Sequence, residues 1–226
     1  MMKLEFSEEI KGAAPELRVL AIEAEVKNPP TGDDLWMEVE EEAANISVRF
    51  DNSLIKLRPG IAATRDAYKA LGKDPSRYRP SQEQLCRRAV SGKGLYRLTT
   101  LVDIINLVSL ASGYSIGGFD ADRIVGDTLI LGRGMKDELY CGIGRGPLNI
   151  EGLPVWRDAE GGIGTPTSDE ERTKLTEQTR RLLMIVNMFG DEMQADEVLE
   201  LTSNLLKRYA SAEHIDWQLV KVADSM

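Results

Sequence analysis

The chain has 226 residues, a hydrophobic fraction of 42% and a formal net charge of −9, from 37 acidic and 28 basic residues. This composition is ordinary for a globular protein and excludes a disordered chain, and no run of about 18 apolar residues is available to cross a membrane. The first ten residues carry three glutamates and lack the basic start and apolar core of a secretory signal, so we expect a cytoplasmic protein.

The first half of the chain predicts one strand followed by helices. Leu17–Val26 partly alternates and contains β-branched residues, which favours a strand that the following prolines end. Helices are predicted from Asp33 or Asp34, over residues 61–71 and over residues 81–90. The last of these begins with a Ser-x-x-Gln sequence that resembles a capping box.

The strongest predicted helix is Leu101–Ala111, with Thr99 or Thr100 as its cap. Seven apolar residues cover most of its circumference, which indicates a central position in the fold. Asp103 and Asn106 interrupt this surface three residues apart and therefore share one face. Buried Asp and Asn side chains need partners, which are either a ligand or the local backbone.

The sequence of the second half is typical of β structure, because glycine-rich turns separate short apolar runs. Residues 114–155 and 152–169 predict strands and loops, Arg181–Phe189 predicts a buried strand, and Ala195–Tyr209 predicts an amphipathic helix. No repeat or low-complexity linker divides the chain. We therefore expect a single domain of mixed α and β structure over residues 1–226, with its core at about 7–209.

Two glycine-rich segments are candidate anion sites. Gly142–Gly146 resembles a phosphate loop, but the Lys-Ser/Thr pair of that motif is absent and no helix follows, so we interpret it as a sheet connection. The second segment, residues 161–168, could present backbone N–H groups to an anion.

Cysteine and histidine are too sparse for the common metal and redox sites. Cys86 and Cys141 lie 55 positions apart, which matches no metal-binding or redox motif, and we interpret both as structural. The single histidine, His214, lies near the C-terminus in what we interpret as a helix end or tail. We expect no metal and no cofactor.

Positive charge is concentrated in one segment of an acidic chain. Residues 65–97 carry nine basic and three acidic residues, a net charge of +6, whereas the remainder carries −15. Because salt screens charges beyond about 8 Å, such a segment can bind phosphates despite the acidic whole. The alternative is an ordinary solvated helical face.

The run from Gly94 to Asp127 resembles the B3/B4 domain of the phenylalanyl-tRNA synthetase beta subunit. Its line Leu-Val-Asp-Ile-Ile-Asn from Leu101 is similar to the family's VVDxTNY sequence, and Phe119-Asp120 follows at the family's position. Thr173–Leu183 is similar to a later family segment, VTEETxxVLLE. The two blocks have the same order and rough separation, and the similarity would extend over residues 7–209, closest to free-standing versions of the module.

The resemblance implies an α+β fold of α/β type, a three-layer sandwich of two β-sheets and a helical layer. In the synthetase this module hydrolyses tyrosine wrongly attached to phenylalanine tRNA. Asn106 matches the family's pocket asparagine, whereas Ile105 replaces its neighbouring threonine and Tyr96 its arginine. The family's pocket histidine falls on Gly117, and its tyrosine-reading glutamate falls on Ile185. Tyrosine selectivity is therefore not inherited, and one general-base candidate is missing.

We accordingly predict a protein that binds tRNA or aminoacyl-tRNA and that hydrolyses a mischarged tRNA if it is an enzyme. A non-catalytic module for a small amino-acid-like ligand and a protein-interaction domain are the alternatives, and no membrane or DNA partner is expected. The predicted pocket residues are Asn106, Gly117, Gly118, Ile185, Gly162 and Thr165. The predicted RNA-binding residues are Arg77, Arg79, Arg87, Arg88, Lys93 and Arg97.

Overall fold

Two four-stranded sheets and a layer of helices form the protein in this computed structural model, which describes residues 1–225. The ten strands are β1 (Lys3–Phe6), β2 (Arg18–Glu25), β3 (Ser115–Asp120), β4 (Thr128–Arg133), β5 (Cys141–Gly142), β6 (Gly146–Pro147), β7 (Pro154–Arg157), β8 (Gly162–Gly164), β9 (Arg181–Met188) and β10 (Glu213–Lys221). The six α-helices are α1 (Glu8–Ala13), α2 (Asp33–Arg49), α3 (Pro59–Ala70), α4 (Ser81–Val90), α5 (Thr100–Ser112) and α6 (Ala195–Tyr209).

The sheets have the strand orders β1-β4-β7-β8 and β10-β2-β9-β3, and the second sheet lies in the middle of the molecule. Alternate residues of β9 show this position. Leu182 and Met184 pack against the helices, whereas Leu183 and Ile185 pack against the first sheet. Burial on both faces explains the continuous apolar run of this strand, and the predicted three-layer architecture is confirmed.

Helices α2, α5 and α6 cover the outer face of the middle sheet. Leu101, Ile104 and Val108 of α5 are fully buried there, so the prediction of a central helix is confirmed. The helix ends at Gly113, whose φ of 75° is the left-handed conformation that glycine adopts without strain.

Two local predictions were wrong. Ser81 is the first residue of α4 and Pro80 is its cap, so the predicted capping box does not form. The segment that contains His214 is not a helix end or tail but the beginning of β10, which pairs with β2 at the edge of the middle sheet. Among residues 1–225, no helix has the length and apolar character needed to span a membrane.

Candidate functional site

A cavity of about 520 Å³ opens between α4, α5, strand β3 and several loops. Aliphatic side chains from α5, β3 and the loops form much of its wall, and a small number of polar side chains interrupt them. The lining residues that matter here are Arg88, Thr99, Val102, Ile105, Asn106, Ile116, Gly118, Arg145, Thr167, Asp169, Lys174 and Leu175.

Helix α5 supplies Asn106 to the cavity and uses Asp103 to hold itself in place. Oδ2 of Asp103 accepts hydrogen bonds from Thr31 Oγ1 at 2.5 Å and from the Leu98 N–H at 2.9 Å. Burial raises the pKa of Asp103, against these stabilising hydrogen bonds. Asp103 thus anchors α5 to the segments that precede α2 and α5. Asn106, one turn further on, faces the cavity.

Strand β3 approaches α5 closely because residue 118 has no side chain. A Cβ atom on Gly118 would lie 2.3 Å from Cδ1 of Ile105 and 2.9 Å from Cδ1 of Leu175. Gly117 faces the other way, where a Cβ atom would lie 2.6 Å from the ring of Phe119. Of these two glycines, Gly118 therefore shapes the cavity and Gly117 does not.

Asp169 places a carboxyl group in the cavity wall. Its Oδ2 accepts a hydrogen bond of 3.1 Å from the N–H of Gly118, and its main-chain carbonyl accepts one of 3.0 Å from Ile143. Burial raises the pKa of Asp169 to about 7, against the opposing effect of the Gly118 hydrogen bond. This carboxyl group therefore changes charge near neutral pH.

The hydroxyl group of Thr99 is another polar group in this wall. Its Oγ1 atom is buried and has no hydrogen-bond partner within residues 1–225. A buried hydroxyl without a partner is costly, so a ligand in the cavity that offered it a hydrogen bond would gain stability.

Three basic side chains, Arg88, Arg145 and Lys174, line the cavity; we call them the cationic rim. The guanidinium carbon of Arg88 lies 4.2 Å from the ring centroid of Tyr96, whose side chain is exposed. Arg145 donates a hydrogen bond of 2.6 Å to Gln84. The wall of the cavity thus carries three basic side chains beside its aliphatic residues.

Of the six basic residues predicted to bind RNA, Arg88 is the one that the described structure places on the cavity. Arg87 donates a 2.9 Å hydrogen bond to the buried Glu83, and Arg97 donates to the Thr31 carbonyl and to Asp33. The remaining three are exposed and lie before or after α4: Arg77, Arg79 and Lys93.

The predicted pocket residues fall into three pairs. Asn106 and Gly118 line the cavity. Ile185 is fully buried in the core between the two sheets, and Gly117, its partner on the adjacent strand, faces the same core. They miss the cavity because side chains alternate between the faces of a strand, and this face points away from α5.

The other two predicted pocket residues, Gly162 and Thr165, are not among the residues that line the cavity. A Cβ atom on Gly162 would lie 2.9 Å from the ring of Tyr140, away from the cavity. Thr165 Oγ1 donates to the Ser168 carbonyl and accepts from the N–H groups of Thr167 and Ser168. Thr165 therefore holds the loop in shape, and Thr167 is the loop threonine that lines the cavity.

Sequence reasoning missed Asp169, Arg145 and Lys174 as site residues. The glycine-rich segment that contains Arg145 was a usable signal, since β5 and β6 form the predicted sheet connection and their turn brings Arg145 to the cavity. Asp169 directly follows the second glycine-rich segment. Lys174 lies in the segment similar to the family's later block, but no pattern distinguished it.

Comparison with known proteins agrees with this architecture. The family model described as "B3/4 domain" matches residues 63–223. An N-terminal fragment of the phenylalanyl-tRNA synthetase beta subunit from Pyrococcus horikoshii is 15% identical in sequence and superimposes with a TM-score of 0.50. The match covers 94% of this chain and 50% of that fragment, so the chain spans about half of the fragment's length. At this identity the likeness shows the fold alone.

No curated protein sequence matches the chain significantly. The family model nevertheless covers most of the chain, including α4, α5, β3 and the loops around the cavity. The chain therefore belongs to the B3/4 domain family.

Proposed function

We propose that this protein binds the aminoacylated 3′ end of a tRNA. The aminoacyl group enters the cavity, and the phosphates near the end of the RNA contact the cationic rim. The observation that carries this proposal is that Arg88, Arg145 and Lys174 line the same cavity as the aliphatic residues of α5 and β3.

The cavity suits a small organic group with an apolar part. Its volume of about 520 Å³ falls in the range of about 300–1,000 Å³ that small-molecule sites occupy. Val102, Ile105 and Leu175 offer aliphatic contacts. Ile185, which aligns with the family's tyrosine-reading glutamate, is buried outside the cavity and offers no acceptor to a phenol hydroxyl. We therefore favour an aliphatic amino acid over tyrosine.

The cationic rim accounts for RNA binding by an acidic protein. The net charge of −9 opposes binding over long distances, but charges beyond about 8 Å are screened at physiological salt. Basic residues at the mouth therefore dominate the interaction with nearby phosphates. The exposed ring of Tyr96 beside Arg88 adds an aromatic surface of the kind on which unpaired bases stack.

Hydrolysis of the ester bond would have to use a water molecule that the cavity and the substrate hold in place. Asn106 offers an amide that can donate to the ester carbonyl. Among residues 1–225 the cavity wall contains no histidine, since the single histidine of the chain lies at the start of β10. This observation favours binding without turnover as the second candidate function.

A panel of tRNAs mischarged with glycine, alanine, serine, valine, isoleucine and tyrosine tests both functions. Release of the amino acid and binding of each charged tRNA are measured at low salt with the same protein. Faster release of at least one aliphatic amino acid supports editing, and tight binding without release supports the non-catalytic function. Absence of both binding and release for every tRNA would overturn the proposal.

A further inference from the structure

We propose that Asp169 receives the free α-ammonium group of the aminoacyl moiety, which makes the cavity selective for an α-amino acid with an unblocked nitrogen. This inference rests on the proposed function and deepens it. Asp169 lines the cavity, and the N–H of Gly118 fixes its Oδ2 atom at 3.1 Å.

Oδ1 of Asp169 faces the inter-sheet side, in a space that Gly117 and Gly164 keep open, so Oδ2, held by the Gly118 N–H, is the oxygen left for a ligand. A Cβ atom on Gly117 would lie 3.3 Å from Oδ1 of Asp169, and one on Gly164 would lie 2.9 Å from it. The backbone of Asp169 is held as well. Its carbonyl oxygen accepts a hydrogen bond from the Ile143 N–H, and Asp169 forms a β-bridge with Gly164. The carboxyl group is thus held in position before any ligand binds.

No cation neutralises this carboxyl group in the described structure. Within residues 1–225 it forms no ion pair, although three basic side chains line the same cavity. Lys174 is paired with Glu171, and Arg145 donates to Gln84. A buried carboxylate without a cation is unfavourable, and burial accordingly raises the pKa of Asp169 to about 7. A bound cation would relieve this cost.

An ammonium group fits this position better than other cations. A divalent metal ion takes several oxygen ligands, and Asp169 is the single carboxylate among the residues that line the cavity within the described chain. An ammonium group carries one positive charge, and one carboxylate oxygen is enough to accept from it. With the nitrogen at Asp169, the aliphatic wall remains available for the amino acid side chain.

Non-hydrolysable analogues of an aminoacyl-tRNA end test this assignment. The probes are 3′-aminoacylamino-3′-deoxyadenosines with glycyl, alanyl, valyl or leucyl groups, each compared with its des-amino and its N-acetyl counterpart. Calorimetry at pH 7 should show that the wild-type protein binds the free amine at least about tenfold more tightly than either counterpart. In Asp169→Asn, which keeps an acceptor for Gly118, this preference should fall below about threefold.

Asp122→Asn is the matched control, because Asp122 is an exposed carboxylate that pairs with Arg181 and does not line the cavity. It should keep the full preference for the amine. A second measurement needs no variant: in the wild-type protein the preference should grow from pH 5.5 to 7, where the amine stays protonated and Asp169 ionises.

Three outcomes would overturn the inference: equal binding of amine and des-amino probes, an unchanged preference in Asp169→Asn, or no binding of any probe. The tRNA panel is run in parallel with these probes. If the protein still binds charged tRNA, the proposed function stands and the role of Asp169 alone is lost. If it binds neither probes nor tRNA, both proposals are wrong.

Discussion

The N–H of Gly118 donates a 3.1 Å hydrogen bond to Oδ2 of Asp169, and this bond joins the edge strand of the middle sheet to the loop that closes the cavity. The strand residue is a glycine because α5 packs against it, and the loop residue is an acid whose pKa is raised by burial. The same contact therefore links the shape of the cavity to its charge.

A pH-dependent loss of stability follows from the burial of the Asp169 carboxyl group, which outweighs the opposing effect of the Gly118 hydrogen bond. The folded protein keeps the proton of Asp169 up to a pKa of about 7, whereas the unfolded chain releases it near pH 4, so the folded state binds more protons between these values. The free energy of unfolding should therefore fall from pH 4 to pH 7 by about 2–4 kcal/mol relative to Asp169→Asn. Urea denaturation of both proteins across this range measures the difference, and parallel pH profiles would contradict it.

Replacement of Arg88 tests the cationic rim. Arg88→Glu should weaken tRNA binding and reduce the slope of log K against log salt by about one, because a phosphate contact is lost. Lys207→Glu makes the same change in charge at an exposed site on α6, away from the cavity, and should leave both quantities near their wild-type values. Filter binding at several salt concentrations measures the affinity and the salt slope of both variants. Equal weakening by the two substitutions would show that only net charge matters.

Arg87 is adjacent in sequence to Arg88 but should affect stability instead. Its Nε donates a 2.9 Å hydrogen bond to Oε1 of the buried Glu83, which also accepts from Arg65 and lies 4.0 Å from Nε of Arg79. Arg87→Ala should therefore cost about 1–3 kcal/mol of folding free energy, less than complete loss of a buried pair because Arg65 and Arg79 remain near Glu83. Arg77→Ala, at an exposed loop position, should stay within about 0.5 kcal/mol. Thermal melts measure both, and a neutral Arg87→Ala would disprove the structural role.

Gly118→Ala tests the close approach of β3 to α5. The new Cβ atom would meet the side-chain ends of Ile105 and Leu175, which would have to move, and both of these line the cavity. We expect a loss of about 1–3 kcal/mol in stability together with weaker binding of the aminoacyl analogues. Gly12→Ala is the control, because no atom lies within 4 Å of its Cβ position. A fully stable Gly118→Ala with unchanged binding would refute this packing.

The main elements could be predicted because each carries its own local signal. Helix α5 is apolar around most of its circumference, and β9 is a continuous apolar run, so the sequence predicts that both are buried. Strand β10 was missed although Ile215, Trp217 and Leu219 alternate with other residues, because charged neighbours made the segment look like a tail. Its pairing with β2 is a long-range contact that local reasoning does not reach.

The cavity was predictable only in part. Asn106 and Gly118 were found because they lie in a run that resembles a known family. Gly117 and Ile185 belong to the same aligned positions, but the period of two along a strand turns both towards the other sheet. Asp169, Arg145 and Lys174 come from loops that approach α5 only through the tertiary fold, so their place in the cavity could not be read from sequence spacing.

The most direct measurement compares the affinities of one tRNA in two forms, uncharged and carrying an amide-linked valine, for the wild-type protein and for Val102→Phe. Val102 lies on α5 and lines the cavity, so the larger ring should narrow it and obstruct entry of the aminoacyl group without changing the cationic rim. We expect the wild-type protein to bind the charged form at least about tenfold more tightly, and Val102→Phe to bind both forms with the wild-type affinity for uncharged tRNA. Equal affinities of the wild-type protein for the two forms would contradict entry of the aminoacyl group into the cavity.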